Sequence, residues 1–261
     1  MSNWLHSLPI VWMALVFFGS AYLSAAAIYL VIVEFARGAW VRVRSTIFPS
    51  LLSPLCTLFA FFVVFTAAQV WTDNDRATAA VAQEASALRA VIILAADFPE
   101  ESRARLETLV HGHIEEAATK EWPMMAHETA TLEIASRQLA EALQFALTLT
   151  ASNQGQEIAQ RELVAALESA LDARRQRILI SHASVGFVKW ACLVIQAVCV
   201  LTSIALAADK RSNAIIAMGL FATGAAACLL LIGAYDRPFI GQLAVRPDPL
   251  LHVLPAAPGQ P

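Results

Sequence analysis

Four long stretches without a single Asp, Glu, Lys or Arg constrain this 261-residue chain more than any motif in it. They cover residues 7–33, 45–72, 190–208 and 212–235. A helix rising about 1.5 Å per residue needs roughly 20 apolar residues to cross the hydrocarbon core of a bilayer. Each stretch is long enough, the third only just. The bilayer offers backbone groups no water to bond, so each crossing must be helical. The pattern predicts an all-α membrane protein in which four transmembrane helices, arranged in two pairs, flank a soluble insert.

The charges are segregated accordingly. Residues 73–183 hold 17 acidic and 10 basic side chains, 27 of the chain's 39. The expected organisation is a first transmembrane pair over 1–72, a helical insert over 73–183, a second pair over 184–235 and a Pro-rich tail over 236–261. Only 15% of residues are charged, against about 25% in an average soluble domain, which excludes an ordinary soluble enzyme. A net charge of -3 leaves no basic footprint for nucleic acid. The lipid bilayer is the expected surrounding.

The insert reads as about four helices. Ala77, Val81, Ala85, Leu88 and Ile92 recur at helical spacing, as do Leu106, Leu109, Val110, Ile114 and Ala117. Breaks fall at Phe98-Pro99 and Trp122-Pro123. A third helix carries Leu132, Leu139, Leu143 and Leu147 and ends near Gly155. The fourth, with Leu163 or Val164, Leu167, Leu171 and Ile178, is expected to run on into the third crossing. The tail, with Pro247, Pro249, Pro255, Pro258 and Pro261, reads as extended and partly disordered.

The first charge-free stretch has no basic start and far exceeds a signal-peptide core, so it reads as a retained helix. In the second, Pro49 and Pro54 argue for a helix beginning near Pro54, with Pro49 in a lead-in or a broken helix. Beyond them Leu58, Phe62, Phe65 and Gln69 fall on one helical stripe. Such a stripe either packs against lipid and neighbouring helices or lines an apolar pore neck that gates by dewetting. Cys56, Cys192, Cys199 and Cys228 lie inside the apolar stretches and read as buried thiols. Glu34, Arg37 and Lys189 fall at the membrane edges, where Lys189 can snorkel. The scarcity of intramembrane charge argues against proton-coupled transport.

No catalytic constellation and no glycine-rich phosphate loop can be assembled, and no cofactor is expected. His111 and His113 stand beside Glu115 and Glu116, with Glu121 and His127 downstream. The spacing is not that of a zinc helix, so a solvated helix face is preferred over a metal site. Glu84, among alanines, reads as semi-buried and ion-paired with Arg89 or a residue of another helix.

Several segments together resemble the bestrophin-like family of bacterial membrane proteins. They are Phe65-Thr66 leading to Trp71, Ala77, Glu84-Ala85, Glu121-Trp122-Pro123-Met124, and Asp236-Arg237-Pro238-Phe239-Ile240-Gly241. The resemblance implies distant kinship with bestrophins, anion channels built from paired membrane helices around a helical insert. Bestrophins carry Pro-Phe-Gly after the last crossing, followed by acids that help clasp calcium. Here Ile240 separates Pro238-Phe239 from Gly241, and Gln242-Leu243-Ala244-Val245 stands where the acids would be, so calcium gating is not implied. The resemblance also matches Leu58, Phe62 and Phe65 to an apolar neck on the second helix.

The resulting expectation is a homo-oligomeric membrane protein that conducts inorganic ions, anions foremost. The alternative is a non-conducting sensor or scaffold that acts through its insert. A bacterial inner (plasma) membrane is expected, with the insert in the cytoplasm. Arg76, Arg174, Arg175, Arg177, Arg237 and Arg246 favour that side, against Arg37, Arg42, Arg44, Lys210 and Arg211 on the other.

Overall fold

The computed structural model describes residues 8–35, 41–132, 136–208 and 210–254, with the side chains of 33–35 and 41–48 left aside. Among the described residues every regular element is helical. In chain order these are α1 (Ile10–Phe35), α2 (Val41–Ala95), α3 (Glu100–Glu116), a π-helical turn (Ala117–Glu121), α4 (Trp122–Ala126), α5 (Arg137–Thr148), α6 (Gln154–Ser181), α7 (Phe187–Ala207), α8 (Arg211–Tyr235) and α9 (Asp248–Leu251). The chain divides into two compact units. One comprises Met1–Thr72, Ser184–Arg237 and Gly241–Leu243, the other Asp73–Ala183, Pro238–Ile240 and the tail from Ala244.

The first unit contains the four helices long and apolar enough to cross a membrane. At 1.5 Å per residue the 55-residue α2 is about 80 Å long. That is more than twice the hydrocarbon thickness, so α2 contributes to both units. It runs unbroken through Pro49 and Pro54, where the sequence suggests a start near Pro54. Each proline loses one backbone bond, a loss that membrane helices tolerate. α1 packs on α8 and α7 through Met13, Phe17, Trp190, Leu193 and Ile232, with Val70 of α2 in the same cluster. A Cβ on Gly233 would lie 2.8 Å from the Phe17 ring, so glycine is what lets that ring seat. α7 is the inner helix, 44% of its span being buried within the chain against 11% for α1 and for α2. The outer faces are left to lipid or to other copies.

In the second unit the core residues Leu88, Leu106, Ile114, Met125, Leu139, Leu163, Leu167 and Leu250 are all fully buried. The predicted stripes on α2 and α3 point inward, but the one on α5 is displaced. The inward residues there are Leu139, Ala142 and Ala146, while Leu147 is 63% exposed. Leu132 lies outside the helix. The reason is that α5 starts only at its Ser136 cap, whose Oγ accepts the Leu139 N–H at 3.3 Å.

Two expectations about connections change. α6 does not continue into α7: it ends at Ser181, and α7 begins after Gly186. The break is held by His182 Nε2, 2.8 Å from the Ala130 carbonyl, and by the Val185 N–H, which donates to Asp236 Oδ1 at 2.5 Å. The tail is not extended through residue 254. It forms α9, and Leu250 and Val253 enter the core of the insert helices. Pro247 and Pro249 sit at the start of α9, where proline is tolerated. Pro255, Pro258 and Pro261 lie outside the described residues, as does Arg37.

Candidate functional site

Two places concentrate the residues that the sequence singles out. In the first unit, the membrane half of α2 presents an outward arc. Leu58, Phe61, Val64 and Phe65 are 57%, 58%, 60% and 72% exposed. The Phe61 and Phe65 rings stack with centroids 6.5 Å apart. With 3.6 residues per turn, the centre of this arc is Phe61. Of the predicted neck residues, Leu58 and Phe65 lie on it. Phe62 turns to its border and packs with Met13, Phe17, Val70 and Trp190. Gln69, also at the border, accepts a hydrogen bond from Lys189 Nζ. Thr57, the polar residue within the arc, turns its hydroxyl onto the Ser53 carbonyl at 2.9 Å. The surface of the arc is therefore a belt of hydrocarbon and aromatic rings.

In the second unit, Glu84 on α2 is fully buried. Its partner is Arg177 of α6 rather than Arg89, which is exposed. Arg177 Nε donates to Glu84 Oε2 at 2.7 Å and Nη2 to Oε1 at 3.0 Å, a two-pronged clamp that only a planar guanidinium can make. Nη2 also reaches Glu121 Oε2 at 2.8 Å, and Nη1 meets Met125 Sδ at 3.5 Å. The guanidinium carbon lies 4.6 Å from the centre of the Trp122 ring, a cation–π contact. Arg174 completes the group, its Nε donating to Glu121 Oε1 at 2.8 Å. Two carboxylates and two guanidiniums balance.

Burial alone would push both carboxyls up. For Glu84, the charge of Arg177 and the hydrogen bonds from His113 and Arg177 outweigh it and hold the carboxyl below its ordinary range. For Glu121, the charge of Arg177 together with the bond and charge of Arg174 does the same. In the other direction, burial pulls Arg177 down, and Glu84 and Glu121 more than restore it.

The π-helical turn explains how Glu121 and Trp122 both reach this group. The Trp122 N–H bonds the Ala117 carbonyl five residues back, and this wide turn precedes Pro123, which has no N–H to give. Pro123 itself is exposed. Trp122 Nε1 donates to the Val245 carbonyl at 3.0 Å, and Phe239 meets the indole edge-on at 5.9 Å. The Val245 N–H returns to the Pro238 carbonyl at 2.7 Å. Gly241, at φ 94°, makes the reversal between them, a conformation suited to glycine. The Glu-Trp-Pro and Pro-Phe segments, more than a hundred residues apart in sequence, are thus one docking contact. Asp236 and Arg237 belong to the first unit, where both are buried.

His113 is only 1% exposed and does not share the solvated face expected for the histidines. Its Nε2 lies 2.9 Å from Glu84 Oε1 and its Nδ1 2.9 Å from Ser136 Oγ. Glu84 can only accept, so Nε2 carries the proton in the neutral ring, and Nδ1 accepts from the serine hydroxyl. Ser136, His113 and Glu84 stand in line like a nucleophile, a base and an acid. Yet Ser136 is 5% exposed and caps α5, and both Glu84 oxygens are held by Arg177. The line ties α2, α3, α5 and α6 together. No group of three or more His, Cys, Asp or Glu that could hold a metal occurs among the described residues.

In the sequence Arg174 and Arg177 count only as charges that orient the insert, His113 only as part of a solvated face, and Ser136 not at all, though periodicity marks the first three as inward-facing. Leu163, Leu167, Ala170, Arg174, Arg177 and Ser181 are spaced 4, 3, 4, 3 and 4, and all are buried. His113 falls on the stripe of Leu106, Val110 and Ala117. A charged residue in phase with an apolar stripe is the signal for a buried ion pair.

The Bestrophin-like domain family matches residues 19–250 of the chain. No curated protein and no solved structure matches it.

Proposed function

Because the chain belongs to the bestrophin-like family, we propose that it is a homo-oligomeric ion channel. In this reading several copies place the outward arc of α2 around a common axis, and inorganic anions pass the apolar neck so formed. The carrying observation is that arc. Leu58, Phe61 and Phe65 present a contiguous apolar surface on a helix of a chain whose four crossings are too few to enclose a path alone. An apolar constriction conducts when wetted and closes when it dries, so no intramembrane charge is required along it. The buried network and the docked tail keep the insert helices in fixed register without chemistry of their own, and the protein acts without enzymatic turnover or cofactor. Gln242–Val245 offer no carboxylates, so gating proceeds without a calcium clasp at that turn. The insert faces the cytoplasm of a bacterial inner membrane.

The test is the oligomeric state of the purified protein, followed by chloride and potassium flux in liposomes. A closed ring that passes chloride supports the reading. A stable monomer, or a well-assembled ring without flux across pH and salt conditions, overturns it and favours a membrane-anchored scaffold working through its insert.

A further inference from the structure

We propose that Lys189 is the residue that makes the neck prefer anions, by holding an uncompensated positive charge at its insert-side mouth. This rests on the channel reading above and assigns the selectivity of that path.

Lys189 lies in the first turn of α7 and is exposed. Its Nζ donates to Gln69 Oε1. Gln69 is four residues beyond Phe65 on α2, about 6 Å along the helix axis, and three residues before the charge-free stretch ends at Thr72. The ammonium is therefore carried to the border of the α2 arc, one helical turn past Phe65.

The partner matters as much as the place. A lysine at a membrane edge ordinarily snorkels to the headgroups or pairs with an acid. Among the described residues Lys189 makes no ion pair, and its partner is a neutral amide. The amide oxygen satisfies one of the three N–H donors and cancels none of the charge. Asp236, just past α8, is buried at 5% exposure with Oδ1 on the Val185 N–H, and Asp73, one turn past Gln69 on α2, faces Arg76 at 3.7 Å. Burial pushes the Asp236 carboxyl up, and its bond from the Val185 N–H turns Oδ1 to the backbone rather than to Lys189.

Repeated in each copy, such a lysine forms a ring of positive charge, the arrangement that selects anions in pores. An apolar neck has no selectivity filter of its own. The sign of the charge at its mouth sets which hydrated ion is concentrated there before entering. The ligand class is a small monovalent inorganic anion, bound weakly enough to leave again.

The experiment compares reversal potentials across a potassium chloride gradient for the full-length protein in planar bilayers. The wild type is expected to prefer chloride. Lys189→Gln lowers the chloride-to-potassium permeability ratio several-fold, Lys189→Glu lowers it further or inverts it, and Lys189→Arg keeps it near the wild-type value. Gln69→Leu, which frees the ammonium but leaves the charge, lowers the ratio less than Lys189→Gln. An unchanged ratio in assembled Lys189→Gln overturns the assignment and leaves the channel reading standing. Failure of both charge-removing variants to assemble also overturns it, by making Lys189 a structural tether. Absence of flux in the wild type overturns the channel reading itself.

Discussion

Replacing Arg177 by alanine tests the most demanding feature of the insert, the burial of four charges in one contact. Arg177 is 0% exposed and supplies two of the three bonds that hold the Glu84 carboxylate, together with one to Glu121. In its absence Glu84 keeps only His113, while Glu121 keeps Arg174. Removing one partner of a buried pair costs about 3–5 kcal/mol, because the other charge is left desolvated. That is a large share of the 5–15 kcal/mol by which a typical domain is stable. The assay is amide hydrogen exchange of the detergent-solubilised full-length protein, read on peptides from α2 beyond Asp73, α3 and α6. Their protection should fall by between about 10² and 10⁴, the same free energy expressed as an opening constant. The combined change Glu84→Gln with Arg177→Met removes both members of the tightest pair and should cost less than Arg177→Ala alone. A loss below about 1 kcal/mol in Arg177→Ala, or a double variant worse than the single, would refute the buried-pair reasoning, since that size is expected of an exposed pair.

Three further outcomes follow from the same geometry. Glu84 and Glu121 are held below the ordinary carboxylate range in the fold, so they bind protons more readily when unfolded. Their stabilisation is present in full above the unfolded value near 4.5 and is lost as pH falls through the folded values. Exchange protection of the insert should therefore drop on acidification below about pH 4.5, and a flat profile from pH 6 to 3 would contradict this. Trp122→Phe keeps a ring against Arg177 and Phe239 but loses the bond to the Val245 carbonyl, costing about 1 kcal/mol. Limited proteolysis in the tail should rise in proportion. Gly241→Ala places a side chain at φ 94° and should loosen the same tail contact by about 1–2 kcal/mol, visible as faster exchange at Val245.

The membrane half of this molecule is legible because the bilayer imposes length and polarity on every crossing, and the charge-free stretches display both. The insert is legible as helices for a similar reason, since Leu106 to Ala117 and Leu163 to Ile178 repeat at 3.6. What escapes is where periodicity and chemistry disagree. Glu84, His113, Arg174 and Arg177 occupy apolar positions of their stripes, and their partners come from other helices, which no local pattern specifies. The rotation of α2 escapes too. Leu58, Phe62, Phe65 and Gln69 lie within one narrow arc, and packing of Phe62 against Met13, Phe17 and Trp190 turns that arc so that Phe61 leads. The tail misleads because proline density suggests extended chain, whereas Leu250 and Val253 are what fix it to the core.

The channel account is tested most directly by single-channel conductance of the reconstituted protein with Phe61→Ala, set beside Leu23→Ala on the outer face of α1. Both residues are apolar and exposed in the chain, at 58% and 72%, so a lipid-facing role would treat them alike. The account predicts that Phe61→Ala widens the neck and raises conductance or open time, while Leu23→Ala leaves both at the wild-type value. Equal behaviour of the two variants would contradict it and return the α2 arc to the lipid.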